Sequence, residues 1–467
     1  MTHQELCDIV VRQLGHVPTT EQREAIDVFA RFMGSGDDRS VMLLRGAAGT
    51  GKTTLAAAIV MTLSALGHKL VLMAPTGRAA KVFALYANHE ASTIHRCLYR
   101  QQTSVGLGTF SLQPNLRRDT LFIVDEASMI ANGNGMDTGL FGTGCLLDDL
   151  MSYVYQGEGC RLLLIGDQAQ LPPVGQVESP ALSPEVVSGY GVQLYVTALT
   201  EVLRQSQQSG ILWNATQVRM LMDDCRLPRI RVSGFSDVVV VRGDELIEQM
   251  ASSYSMVGQD ETIVVTRSNK RANIYNQGIR RSVLDREDEL CRGDQLMIVK
   301  NNYHVPPSLG FLANGDRCVV QRVRRVHELY GFRFAEVTLQ LPDYDDQELT
   351  CTTLLDTLTT EAPALTREQQ ERLFDGVMAD YADVPRKADR MKKLKEDAHY
   401  NALQVKYGYA VTCHKAQGGQ WAHVYIDQGY MTDDMLTPDY LHWLYTALTR
   451  ATEKVFLVNW PGTQTEE

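Results

Sequence analysis

The segment GAAGTGKTT (46–54) follows an apolar run, VMLLR (41–45), and opens a helical stretch from Thr53 to Leu66. A glycine loop between a buried strand and a helix N-terminus restricts the chain more than any other feature, because that order belongs to parallel α/β sheets. The run does not alternate apolar with polar, so both its faces are expected to be covered. LVLMA (70–74), LFIVD (121–125) and RLLLIG (161–166) have the same character and are separated by helical stretches. The fold class is therefore α/β.

The 467 residues exceed what one core organises, so several domains are expected. Two helices broken near Gly15–Pro18 precede the glycine loop, the second capped by Thr19 or Thr20. Residues 97–118 interrupt the sheet pattern and read as a glycine-turned hairpin insertion, and 132–143 as a glycine-rich loop. We expect a first unit over 1–195 and a second beginning near Val196. The second is divided into 196–288 and 401–467 by a small β-barrel over 289–400. Alternating runs at 294–299, 317–323 and 334–341 suggest antiparallel barrel strands. The polar helical stretches 366–381 and 386–396 carry no motif and read as a solvated, charged helix pair.

The net charge of −11 argues against a broadly basic surface but leaves room for a local basic groove. No apolar run approaches the ~20 residues that span a bilayer, and the N-terminus lacks a signal pattern. Nine cysteines without a C-x-x-C pair suggest free thiols in a reducing, cytoplasmic setting.

In the glycine loop, Gly46, Gly49, Thr50 and Gly51 let backbone N–H groups curl around phosphate oxygens, and Lys52 reaches the β/γ-phosphates. Thr53 and Thr54 start the helix, with the Thr53 hydroxyl suited to Mg²⁺. FIVDEASM (122–129) ends a buried strand on two carboxylates. Asp125 can hold the metal, and Glu126 can orient a hydrolytic water. In LLIGDQAQLPPVG (163–175), Gln170 can hydrogen-bond the γ-phosphate or its water. Arg204, in LTEVLRQ (199–205), and Arg450, in LYTALTRA (444–451), are candidates for neutralising the γ-phosphate. Both lie far from the loop in sequence, which implies that two halves of the chain meet around one ATP.

Together with VTCHKAQGGQW (411–421), these segments resemble those of superfamily 1 DNA helicases, nearest to the RecD and Dda type of the 5′-to-3′ branch. The resemblance covers nearly the whole chain. It implies two RecA-like P-loop domains, a short hairpin wedge inserted in the first and a small β-barrel inserted in the second. It implies that Gln22 reads the adenine, that Gln420 contacts the ribose, and that Arg204 and Arg450 are arginine fingers. Thr76 and Arg78 in APTGRAAK (74–81), His95 in ASTIHR (91–96), Arg267 and Asn269 in VVTRSNKR (264–271), and Thr412 and His414 would grip single-stranded DNA. Phe110 would be the wedge aromatic that abuts a forked duplex. The expected activity is DNA-stimulated ATP hydrolysis with 5′-to-3′ unwinding. The expected cofactors are ATP and Mg²⁺, and the expected state is a monomer with replication, recombination or DNA-repair partners. The rival readings are an RNA translocase, a DNA-dependent ATPase switch and a small-molecule P-loop kinase.

Overall fold

In the computed structural model the described residues are 2–101, 110–133, 142–202, 209–222, 224, 226–306, 309–431 and 435–466. The chain begins with α1 (His3–Leu14) and α2 (Thr20–Gly34), each opened by a Thr capping box. The first α/β unit continues through β1 (Ser40–Gly46), α3 (Lys52–Ala65), β2 (Lys69–Ala74), α4 (Gly77–Ala87), β3 (Ala91–Thr93) and α5 (Ile94–Leu98). A two-stranded antiparallel hairpin follows, β4 (Tyr99–Gln101) against β5 (Phe110–Leu112). The tip of the expected wedge, 102–109, lies outside the described residues. Then come β6 (Thr120–Val124), α6 (Leu146–Val154), β7 (Arg161–Gly166), α7 (Pro184–Ser188) and β8 (Gln193–Leu199).

Six of these strands form one parallel sheet in the order β3-β2-β6-β7-β1-β8. The interior strands are apolar on both faces because helices cover both sides. β8 pairs with β1 along its whole length, so Val196 belongs to the first sheet and the first unit reaches Leu199. A strand without alternation carries no label for the sheet it joins, and so the boundary was expected a few residues early.

The second unit holds α8 (Gly210–Met220), β9 (Ile230–Arg231), β10 (Val238–Val241), α9 (Leu246–Met256), β11 (Thr262–Thr266) and α10 (Asn269–Ser282). The chain then enters a closed barrel of β12 (Gln295–Ile298), β13 (Arg317–Leu329), β14 (Phe332–Leu341), β15 (Gln347–Leu354) and, after α11 (Arg367–Asp380) and α12 (Lys387–Glu396), β16 (Leu403–Tyr407). The barrel thus extends past residue 400. β15 and β16 pair in parallel, which requires a crossover, and α11–α12 supply it. The second unit resumes with β17 (Ala410–Thr412), α13 (Cys413–Ala416), β18 (Trp421–Asp427), α14 (Pro438–Leu448), β19 (Ala451–Val458) and β20 (Thr465–Glu466). Its parallel sheet runs β10-β19-β18-β11-β17.

Where the barrel meets the second unit, fully buried Asp294 accepts hydrogen bonds from Arg280 Nε (2.9 Å), Arg286 Nη1 (3.0 Å), the Tyr409 hydroxyl (2.9 Å) and Cys291 N (2.7 Å). Among the described residues no helix is long and apolar enough to cross a membrane.

Candidate nucleotide and nucleic-acid site

The chemistry-bearing residues follow the C-terminal ends of neighbouring strands. β6, β7 and β1 are adjacent, so Asp125 and Glu126, Gln170, and the glycine loop converge on one sheet edge. Gly49 (φ 76°) and Gly51 (φ 79°) adopt the left-handed conformation that favours glycine, which turns the loop into a cradle at the start of α3. Lys52 Nζ donates to Gly46 O at 2.8 Å, and Thr50 Oγ1 donates to Ala47 O at 2.8 Å. Thr53 and Thr54 sit in the first turn of α3.

Asp125 N donates to Met73 O, and Glu126 N donates to Asp125 Oδ1 at 2.9 Å. Burial, and then the adjacent Glu126, push the Asp125 carboxyl up to about 6, while Lys52 opposes the shift. Glu126 itself holds φ 53°, a strained value for a side-chain-bearing residue. Glu126 Oε2 and Gln170 Oε1 are buried without a hydrogen-bond partner among the described residues. Two orphaned acceptors beside a glycine cradle and a lysine fit a Mg²⁺–triphosphate and a water.

Gln22, expected to read the adenine, is held inside the protein beside the phosphate loop. It is fully buried, its Oε1 accepts from Thr19 N (3.1 Å) and its Nε2 donates to Thr50 O (3.2 Å). Both ends of the amide are engaged in capping α2 and steadying the phosphate loop, with one N–H of Nε2 and one lone pair of Oε1 left over. Arg204 lies outside the described residues. Arg450 is 3% exposed and donates from all three guanidinium nitrogens inside its own unit, to Thr446 O, Gly419 O and Thr449 Oγ1. No hydrogen bond among the described residues joins it to the phosphate loop. Gln420, expected at the ribose, is exposed, and its backbone carbonyl accepts from Arg78 on α4.

The link across the two units is made by a residue that sequence reading missed. The Tyr445 hydroxyl, on α14, donates to Asp167 Oδ2 (2.6 Å) and accepts from Ala48 N of the phosphate loop (2.9 Å). One turn of α14 makes further bonds to the segment that holds Gln170. Leu171 N donates to Thr446 Oγ1 at 2.8 Å, and His442 Nδ1 lies 2.9 Å from Ala169 O. Gln417 Nε2 donates to Leu171 O at 2.6 Å. Tyr445 sits inside the LYTALTRA segment, so the signal was present but attached to Arg450.

The expected DNA-gripping residues also gather at strand ends. β2 and β3 are in register at Ala74 and Thr93, so Thr76, Arg78 and His95 follow neighbouring strands. β11 and β17 are in register at Thr266 and Thr412, which brings Arg267, Asn269, Thr412 and His414 to one edge. Thr76 Oγ1 caps α4 by accepting from Ala79 N (3.2 Å). The Arg78 guanidinium lies 4.3 Å over the Trp421 ring. Burial, and then neighbouring Arg317, bring Arg78 down to about 10. Burial pushes His95 down to about 4, so its imidazole is neutral at pH 7. Burial also lowers His414, partly offset by Asp439. Arg267 is exposed, 5.5 Å over the Tyr440 ring.

Phe110 does not stand free as a wedge. It is 8% exposed and packs on Tyr303 (ring centroids 4.2 Å apart) and Phe311 (6.3 Å), which lie between β12 and β13 of the barrel in sequence. An aromatic on a short strand was placed at the fork by position; the structure gives it an aromatic partner across the domains. One His/Cys/Asp cluster among the described residues could hold a metal ion, namely His3, Cys7 and Asp27. There Asp27 already pairs with His3 (2.8 Å) and Arg31 (3.0 Å), so the cluster is satisfied as a clasp between α1 and α2.

Comparison with known proteins follows the same division. Residues 18–221 match the AAA domain model AAA_30, and residues 407–458 match the UvrD-like helicase C-terminal domain. The first match covers the first unit from α2 onward and runs on through α8, and the second falls on the C-terminal part of the second unit. The chain thus carries an AAA domain followed by a UvrD-like helicase C-terminal domain. It is 28% identical to the ATP-dependent DNA helicase dda of Enterobacteria phage T4, over 60% of each chain. It is 34% identical to the ATP-dependent RecD2 DNA helicase of Deinococcus radiodurans, over 29% of this chain and 16% of that protein. Uncharacterized protein R530 of Acanthamoeba polyphaga mimivirus is 23% identical over 93% of this chain and 98% of its own length. Thus it spans less than two thirds of either named helicase and nearly all of the mimivirus relative. Among solved structures, Bacteroides Pif1 helicase in complex with ADP-AlF3 and ssDNA aligns over 97% of this chain and 95% of that one. Sequence identity there is 15% and the TM-score 0.47.

Proposed function

We propose that this chain is an ATP-dependent DNA helicase that moves along single-stranded DNA from 5′ to 3′ and separates forked duplexes. The observation that carries the reading is the Tyr445 hydroxyl, bonded at once to the phosphate loop and to Asp167. A loop that cradles phosphates is thereby tied to the unit that bears half of the expected DNA-gripping residues.

Lys52, the loop amides and Thr53 would hold the triphosphate and its Mg²⁺, which supplies charge neutralisation at the γ-phosphate. Asp125 is the metal-side carboxylate. Glu126, with its unengaged Oε2, orients the attacking water, and Gln170 meets the γ-phosphate side. Arg204 and Arg450 serve as fingers in a closed arrangement, for which Arg450 must exchange a carbonyl of its own unit for a phosphate oxygen. Thr76, Arg78 and His95 on one unit, and Arg267, Asn269, Thr412 and His414 on the other, grip alternate stretches of the strand. Opening and closing of the cleft then moves the strand stepwise. These contacts to backbone and base faces suit sequence-independent binding.

The test is ATP hydrolysis with and without single-stranded DNA, then strand separation on duplexes tailed at the 5′ or the 3′ end. We expect stimulated hydrolysis, unwinding from the 5′ tail alone, and loss of about a hundredfold or more of the stimulated rate in Lys52→Ala. Hydrolysis indifferent to DNA would favour a kinase or switch instead, and unwinding from the 3′ tail would overturn the direction.

A further inference from the structure

The barrel carries an appendage that neither the nucleotide site nor the expected DNA track uses. α11 and α12 close the parallel crossover between β15 and β16, yet they also build a separate small core. Phe332 and Phe334 of β14, Leu354 of β15, Leu373 and Val377 of α11, and Leu394 of α12 bury one another there. This core fixes α12 firmly, and what α12 presents is positive charge. Within residues 386–396 stand Arg386, Lys387, Arg390, Lys392, Lys393 and Lys395, against two acids, in a chain of net charge −11.

The charge is not neutralised locally. Among the described residues none of these six side chains takes part in an ion pair, although α11 alongside carries four acids. Glu371 pairs instead with Arg367 on its own helix, and Asp380 accepts from the Tyr330 hydroxyl. Leu394 is buried and Met391 packs against the same core, whereas Arg386, Lys387, Lys392 and Lys393 are exposed. Lys393 lies 5.5 Å over the Tyr381 ring, and Arg390 Nε is tied to Val384 O. A row of exposed, unpaired cations on a rigidly mounted helix is suited to a polyanion rather than to water alone.

Position identifies which polyanion. The C-terminal end of β14 leads into residues 342–344, where Pro342 O accepts from Lys81 of α4, the helix expected to grip the single strand. The N-terminal end of β14, Phe332, is in the appendage core. Ten residues of strand at ~3.3 Å each separate them, about 30 Å. That is the length of roughly nine base pairs at 3.4 Å per pair. We propose that α12 binds the phosphate backbone of duplex DNA ahead of the fork, as a second contact separate from the single-strand track. The proposal rests on the helicase reading.

The experiment compares the full-length protein with a Lys387→Gln/Lys392→Gln/Lys393→Gln variant, by anisotropy on a labelled single strand and on the same strand extended into a 15-base-pair duplex. All three side chains are exposed, so folding is expected to be unchanged. The variant should bind the single strand as the wild type does and keep its DNA-stimulated ATPase. On the tailed duplex its affinity should fall, and its log affinity–log salt slope should be shallower by roughly 2.7, at about 0.9 per phosphate contact. Replacing the same lysines with arginine should preserve tailed-duplex binding. Unchanged tailed-duplex binding in the glutamine variant, or equal loss on both DNAs, would overturn the proposal alone. A wild-type protein that binds neither DNA would remove the helicase reading and this proposal with it.

Discussion

Asp316 shows how one carboxylate can be set against its own ionisation. It is 1% exposed, and burial pushes its carboxyl up to about 6, with the Tyr344 hydroxyl and Ala313 N opposing and Asp343 adding to the rise. Its Oδ2 accepts from Ala313 N (2.7 Å) and from Tyr344, while Oδ1 has no partner among the described residues. A β-carbon on Gly77, at the start of α4, would lie 2.9 Å from that oxygen, so the barrel and α4 meet closely here. A folded-state pKa raised above the unfolded value favours the protonated form. The contribution to stability is full below about pH 4 and is lost as pH rises through about 6. Asp316→Asn keeps an acceptor for Tyr344 and Ala313 N and offers a donor to the neighbouring orphan, Asp343 Oδ2. The variant should melt above the wild type at pH 7.5, and the gap should close near pH 4.5. A lower melting temperature at pH 7.5 would show that the charge is needed. At this scale the sequence was most legible where chemistry sits in a contiguous motif. Lys52, Asp125, Glu126 and Gln170 all follow strand ends as read. Asp316 was invisible, because nothing local distinguishes a buried aspartate from a turn.

Elements were legible in proportion to their periodicity. Four strands of the first sheet, β1, β2, β6 and β7, emerged from apolar runs, while the three-residue β3, the boundary at β8 and the barrel's last strand did not, since a strand's partner is a tertiary fact. The α11–α12 pair was read as solvated helices, and its need became clear only from the parallel pairing of β15 with β16. The β4–β5 hairpin is the sharpest case. Its two strands pair, and Phe110, expected to abut the fork, packs against Tyr303 and Phe311. Phe110→Ala should therefore remove a buried ring, destabilise by about 3–5 kcal/mol and loosen the hairpin from the barrel. We expect unwinding to fall while DNA-stimulated ATPase persists. Tyr303→Ala should reproduce that loss of unwinding, because it removes the other half of the contact. Normal unwinding in Tyr303→Ala would return the role to Phe110 alone and favour a wedge.

At the scale of the whole molecule, what matters is how events at the phosphate loop reach the second unit. The residues that make the connection are separated by hundreds of positions, so although Tyr445 lies within a motif its partners Ala48 and Asp167 could not be read locally, and a tyrosine on an apolar helix reads as core. Tyr445 is 1% exposed, and burial with Asp167 nearby keeps its hydroxyl protonated well beyond the ordinary range. It therefore always has a proton to donate to Asp167, and its oxygen remains free to accept from Ala48 N. Tyr445→Phe keeps the ring and removes both bonds, each worth about 0.5–1.5 kcal/mol. Three neighbouring bonds, from Leu171 N, Gln417 and His442, continue to join the units. The cleft should still form, but the loop and Asp167 would respond to nucleotide without pulling directly on α14. Basal ATPase and single-strand affinity should stay near wild type, while base pairs opened per ATP hydrolysed should drop several-fold. Thr446→Val, which removes the acceptor for Leu171 N, should weaken the same ratio and add to the Tyr445 defect by less than the sum, since both act through one helix turn. An unchanged ratio in Tyr445→Phe would mean that coupling runs through the arginines or the DNA itself.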